Sequence, residues 1–222
     1  MRVIIRHNKS YSKTLKIKET TMQTSQLIAL IQARRTCYQF LPQASNPLPE
    51  SEINRCLEAA IWAPNHKLTQ PWRFWVIGHN MQHALGIIYA DNRASKTATC
   101  GSVAYQSQYT KALQKFMAIP QIVLVGQALS KDEVTAKEDY AACACAIQNF
   151  QLMAWQQSIG TQWSTGPILT DLRSYELLGI QPAEIALIGA LYMGRVDAEC
   201  RSNHLEQTAK RKPVEEVTVY LD

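Results

Sequence analysis

The sequence predicts an α+β domain, with helices packed on a sheet of about four or five strands. Runs with the apolar spacing of helices alternate with short runs of β-branched and aromatic residues. Two of the latter, 120–126 and 186–194, are apolar enough to be buried strands. The 222 residues also contain no Gly/Ser/Pro-rich linker and no internal repeat, which suits one core rather than several.

Charge is unevenly placed. The chain carries 23 Lys and Arg against 18 Asp and Glu, a formal +5. Residues 1–21 hold six of the bases (Arg2, Arg6, Lys9, Lys13, Lys16 and Lys18) and one acid, Glu19, so the remainder is neutral. A body without a positive face argues against a nucleic-acid-coating protein. No uninterrupted apolar run approaches the length of a membrane span. The six cysteines (37, 56, 100, 143, 145 and 200) include no Cys-x-x-Cys pair and follow no secretion signal, which predicts reduced thiols in the cytoplasm. Cys143 and Cys145 would lie about 200° apart around a helix and so could not jointly hold a metal. No metal site is predicted.

Residues 1–21 are basic and aperiodic after residue 5, without the apolar centre of a signal peptide. They are expected to be a disordered basic extension; a transit peptide and a start codon placed too early both fit the composition. The folded domain is expected to span 22–222. Thr24 or Ser25 can cap a first helix with apolar face Leu27, Ile28, Leu30 and Ile31. It runs into Arg34-Arg35-Thr36, two planar cations and a hydroxyl, a set suited to a phosphate or, more simply, to a helix C-terminus. Pro49 opens a second helix with stripe Ile53, Cys56/Leu57 and Ala60/Ile61.

The stretch 63–74, Ala-Pro-Asn-His-Lys-Leu-Thr-Gln-Pro-Trp-Arg-Phe, organises the chain. Pro64 ends the helix and Pro71 opens a strand through residue 77, since proline cannot donate a backbone hydrogen bond. Between them a short polar loop carries Asn65, His66, Lys67, Thr69 and Gln70, and such rigidly mounted loops are where ligands tend to bind. Helices follow over 81–89 and 105–117, with a small, polar, mobile segment 91–101 between them. Residues 137–158 read as a long helix, apolar nearly all round and closed by Gly160 as its C-terminal cap. A strand then breaks at Gly166-Pro167 beside small hydroxyls, and 186–194 is the last strand.

An Ala-Pro ending, a few polar residues, then Gln-Pro-Trp-Arg-Phe and a strand resembles the signature of the FMN-dependent nitroreductase family. Arg34-Arg35-Thr36, Trp163–Gly166 and the Arg211-Lys212-Pro213 segment agree with it in order, so the resemblance runs from about Thr24 to Tyr220. It is closest to the small single-domain branch, where the loop proline precedes an acidic or amide residue and then His-Lys. It implies a nitroreductase-like three-layer α/β/α sandwich with a mostly antiparallel sheet, and a homodimer with FMN at the subunit interface.

By that resemblance Arg34, Arg35, Thr36 and Arg211 hold the FMN phosphate and ribityl chain. Trp163, Ser164, Thr165 and Gly166 lie along the flavin edge. Asn65 and His66 reach the flavin bound mainly by the other subunit. Tyr38 stands where the family often has a base near the ring. The resemblance implies an NADH- or NADPH-dependent oxidoreductase that passes hydride through FMN to a small-molecule acceptor such as a nitroaromatic or quinone. With no Gly-x-Gly-x-x-Gly present, the nicotinamide is expected to dock over the flavin rather than in a dinucleotide fold. Two other readings stand beside this one: a flavin-binding redox sensor or carrier without turnover, and a basic-tailed binding module.

Overall fold

The computed structural model describes residues 24–197 and 211–221; the expected extension 1–21 and Cys200 lie outside them. Among the described residues, β1 (Trp72–Ile77), β2 (Gln121–Ala128), β3 (Ile159–Ser164) and β4 (Ile185–Arg195) form one antiparallel sheet in the order β1-β2-β4-β3. Successive side chains of a strand face opposite ways, and here both faces are buried. Val123, Val125, Leu191 and Met193 point to one core, Ile122, Leu124, Ala190 and Tyr192 to the other.

Helices supply the two outer layers. On the first face lie α2 (Glu50–Ala60) and α5 (Glu133–Gln156), which deliver Ile53 and Cys56, and Ile147 and Phe150, to the core. On the second lie α3 (His79–Ala94), α4 (Val103–Met117) and α6 (Leu172–Leu178), with Leu85, Phe116 and Tyr175 inward. The predicted α+β sandwich is what forms, with four strands. The first helix, α1 (Thr24–Ala33), touches α5 but buries none of its own residues.

Several local expectations are corrected. The long helix starts earlier, at Glu133, because the Asp132 carboxylate caps it, accepting from the Thr135 N–H at 2.8 Å. Gly160 is not its cap. Gln157 closes the helix, Ser158 takes the left-handed conformation at φ 60°, and Gly160 lies inside β3. Its lack of a side chain serves packing instead, since a Cβ there would sit 2.8 Å from the Cβ of Cys37.

The helix α5 is also less uniform than its sequence suggests. Ala142, Cys143, Ala146, Ile147, Phe150 and Ala154 form the buried stripe, while Ala141, Cys145 and Tyr140 face outward. Cys143 and Cys145 accordingly point apart. Residues 91–94, expected in a mobile segment, are the last turn of α3, where Asp91 accepts from the Tyr105 hydroxyl at 2.6 Å. Among the described residues, no helix is long and apolar enough to cross a membrane.

Candidate functional site

The chain leaves α1 through Arg34 and Arg35 and turns onto the free edge of β3. Thr36 makes an isolated parallel bridge to Thr161, and the Cys37 N–H donates to the Thr161 carbonyl at 2.9 Å. This fixes Arg34–Thr36 at the sheet edge. The Arg34 Nε is buried without a hydrogen-bond partner. Burial, and then the nearby charges of Arg35 and Arg211, hold the Arg34 guanidinium below its ordinary pKa. Arg211, from the far end of the sequence, is thus brought to the same corner as Arg34.

Arg35 does something different. Its guanidinium folds back on the helix end, donating to the carbonyls of Gln32 and, at 3.0 Å, of Arg34. That is the helix-terminus role its sequence position also allowed.

Along the same strand, Trp163 donates its indole N–H to the Ile188 carbonyl at 3.2 Å. It fits because residue 189 is glycine; a Cβ there would lie 2.4 Å from the indole nitrogen. Ser164 ends β3, Thr165 is exposed, and Gly166 precedes the 3-10 turn Pro167–Leu169. The strand-then-break expected at Gly166-Pro167 is observed. Arg34–Thr36, Trp163–Gly166 and Arg211 therefore occupy one neighbourhood.

The loop 63–74 is elsewhere, and its geometry is unusual. Lys67, Leu68 and Gln70 all have positive φ, 52°, 54° and 45°, in a stretch without glycine. Non-glycine residues hold that conformation only where the surroundings over-determine it. Here the Asn65 side-chain oxygen accepts from the Gln70 N–H at 2.9 Å, and Arg73 donates to the Gln70 carbonyl at 3.0 Å. Two further contacts pin the loop to the first half of α5. The Thr69 hydroxyl donates to Asp139 at 2.6 Å, and His66 Nδ1 lies 2.7 Å from Glu138.

Sequence reading missed Glu138 and Asp139 as parts of this assembly, because their partners are about 70 positions away and no local pattern announces them. The three left-handed residues were equally silent, since glycine is the usual signal.

Helix α5 measures the separation of the two groups. Glu138 and Asp139 hold the loop. Gln151 lies thirteen residues after Glu138 and donates to the Thr161 hydroxyl at 3.2 Å, beside Thr36. At 1.5 Å per residue the two anchors are roughly 20 Å apart along the axis. One chain thus presents the arginine corner and the Asn65–His66 loop at opposite ends of one helix. Around the C-terminal end of α5 lies an apolar groove of about 880 Å³, walled by Leu27 and Leu30 of α1, Leu152 and Met153 of α5, and Trp62, which is 81% exposed.

A three-layer α/β/α sandwich with an arginine corner at the β3 edge defines the class, and the chain belongs to the Nitroreductase family, which it matches over residues 31–195. It is 32% identical over 176 residues to a Bacillus subtilis protein named "Putative NAD(P)H nitroreductase YfhC", covering 75% of this chain and 82% of that one. Among solved structures it resembles a nitroreductase-like family protein from Bacillus cereus, with TM-score 0.73 and 22% identity over 88% of this chain and 96% of that one. It also resembles the FMN-dependent nitroreductase NfnB from Mycobacterium smegmatis in complex with NADPH, with TM-score 0.64 and 16% identity, covering 88% of this chain and 98% of that one.

Proposed function

We propose that residues 22–222 form one FMN-binding domain of a homodimeric oxidoreductase, which takes hydride from NADH or NADPH and delivers it to a small oxidised acceptor such as a nitroaromatic or a quinone. The observation that carries this reading is the buried, partnerless Nε of Arg34. A buried guanidinium nitrogen without an acceptor is costly, and Arg35 and Arg211 nearby make its charge costlier still. A phosphate group completes that donor set. The residues present therefore fit FMN, and family membership agrees.

In this proposal Arg34, Thr36 and Arg211 hold the phosphate. Arg35 adds charge while capping α1 through the carbonyls of Gln32 and Arg34. Trp163, Ser164, Thr165 and Gly166 border the ring, with Trp163 held in place by its bond to Ile188. Asn65 and His66 come from the other subunit in this proposal, which is consistent with loop and corner being held at anchors roughly 20 Å apart along α5. Bound FMN supplies two-electron chemistry at its N5. The protein's part is position and electrostatics, and no side chain is assigned as general acid or base. The groove lined by Leu27, Leu152 and Trp62 is the face that a second copy covers.

The test is the visible spectrum of the purified protein with mass analysis of released cofactor, followed by anaerobic mixing with NADPH. A yellow protein that releases FMN and bleaches within seconds supports the oxidoreductase. A yellow protein that NADPH does not bleach is a carrier or sensor, and a colourless one that ignores added FMN overturns the reading.

A further inference from the structure

A smaller cavity of about 310 Å³ opens beside the arginine corner, on the second face of the sheet. One wall is Tyr38, two residues beyond Thr36; another is Ser164, at the end of β3. The cavity therefore adjoins both segments assigned to the cofactor. Its floor is aromatic: Tyr89 and Tyr192 keep a little exposed surface, and Phe116 lies fully buried behind them. The ring centroids of Tyr89 and Phe116 are 4.9 Å apart, and Phe116 meets Tyr192 edge-on at 6.0 Å.

Two cations stand over this floor, Arg93 from α3 and Lys115 from α4. The Arg93 guanidinium is held above the Tyr89 ring, 5.5 Å from its centroid. Among the described residues neither cation has an ion pair, and no carboxylate lines the cavity. The contrast with other arginines is informative. Arg195 is paired with Glu52, and Arg173 with both Asp91 and Asp171. Asp91, two positions from Arg93, is committed to Arg173 and Tyr105 instead. Burial pushes the Tyr192 phenol up to about 12, so beside Ser164 it stays a neutral hydroxyl able to donate.

We infer that this cavity anchors an anionic aromatic acceptor, its ring against Tyr89 and Tyr192 and its carboxylate on Arg93 and Lys115. The volume suits one substituted ring, at the small end of ligand sites. An aromatic floor favours a flat π-system, and two cations without an acid select negative charge. For the chemistry after binding, the inference rests on the proposed oxidoreductase reading. With a nitro acid the balanced step is ArNO2 + NADPH + H+ → ArNO + NADP+ + H2O, with both electrons from the nicotinamide and the nitro oxygen leaving as water.

The experiment compares 4-nitrobenzoate with its neutral counterpart 4-nitrobenzamide. Calorimetric binding to the purified protein is measured first, then the ratio of kcat/KM values with NADPH. The anion should bind at least about tenfold more tightly, as expected for charge-assisted contacts, and this preference should weaken as salt is raised. In Arg93→Gln/Lys115→Gln the ratio should fall towards one, and Lys115→Glu alone should lower it further than Lys115→Gln alone. Thermal melts confirm that each variant is folded. Equal binding of acid and amide to the native protein overturns the inference, as does a ratio unmoved in a folded variant. Loss of FMN content with the preference intact also overturns it, since the two cations would then serve the cofactor. A protein that NADPH does not reduce sinks the oxidoreductase reading alone, because calorimetry still decides the cavity.

Discussion

Arg34 carries more of the functional argument than any other side chain, and it can be tested by ligand chemistry. FMN and riboflavin differ by the phosphate alone. Arg34→Ala should weaken FMN on the order of 2–4 kcal/mol, the usual loss when one partner of a buried charge-assisted contact is removed. Riboflavin affinity should hardly change. Equal losses, read by fluorescence titration of the apoprotein, would remove Arg34 from the phosphate site. The Arg-Arg-Thr sequence favours Arg34 over Arg35 for this proposed role but shows no contact that separates them. Adjacent helical side chains diverge by about 100°, and the difference appears only once Arg35 is seen turned back onto the Gln32 carbonyl while the Arg34 Nε lies buried. Arg211 is a similar case. Its segment was legible as basic, but its proximity to Arg34 is a fact of tertiary structure.

At the scale of elements, the loop 63–74 is held by contacts that mutation can remove singly. Thr69→Val keeps shape but leaves Asp139, itself 4% exposed, without its 2.6 Å donor. The expected cost is about 1–3 kcal/mol, seen as a fall in melting temperature of roughly 2–4 °C per kcal/mol. An unchanged melt would mean that the left-handed residues hold themselves. Helix α6 is tied down electrostatically. Hydrogen bonds from Arg173, first from its side chain, hold the Asp171 carboxyl at about 2, below its ordinary 3.8. A depressed carboxylate stabilises the fold above its unfolded pKa and ceases to do so as pH falls through the folded value. Asp171→Asn should therefore lower the melting temperature at neutral pH and flatten its decline between about pH 4 and pH 2. A parallel decline in both proteins would contradict this. Periodicity made β1, β2, β4 and the helices legible, because each carries a strong apolar stripe. It hid α6, which is seven residues long with only Ser174 and Tyr175 buried. It also misassigned Gly160, whose value lies in a contact with Cys37, a residue 123 positions earlier.

For the whole molecule, the proposal that the site is shared between subunits makes a quantitative prediction. Chains carrying Arg34→Ala, and chains carrying Asn65→Asp with His66→Ala, should each form inactive homodimers. Co-expression gives about half mixed dimers, and in each of these one site collects both lesions and the other neither. Activity should return to roughly a quarter of the native value. No recovery in dimers proven mixed by mass would place both groups in one subunit's site. The sequence pointed towards this arrangement through the apolarity of 137–158 and the proline-clamped loop. What it could not supply was the anchors themselves, the contacts of Glu138 and Asp139 with the loop and of Gln151 with Thr161. The groove at the C-terminal end of α5 offers a way to watch the proposed assembly. The chain has five tryptophans. Trp72 and Trp155 are buried, and Trp75 and Trp163 pack against the two cores, whereas Trp62 stands almost wholly in solvent at the groove wall. Indole fluorescence shifts to shorter wavelength when the ring leaves water. Dilution of the apoprotein through its dissociation range should therefore move the emission to the red, and Trp62→Phe should abolish the movement. In the proposed dimer Trp62 would be a built-in optical gauge of assembly, at the surface on which the proposed active site depends.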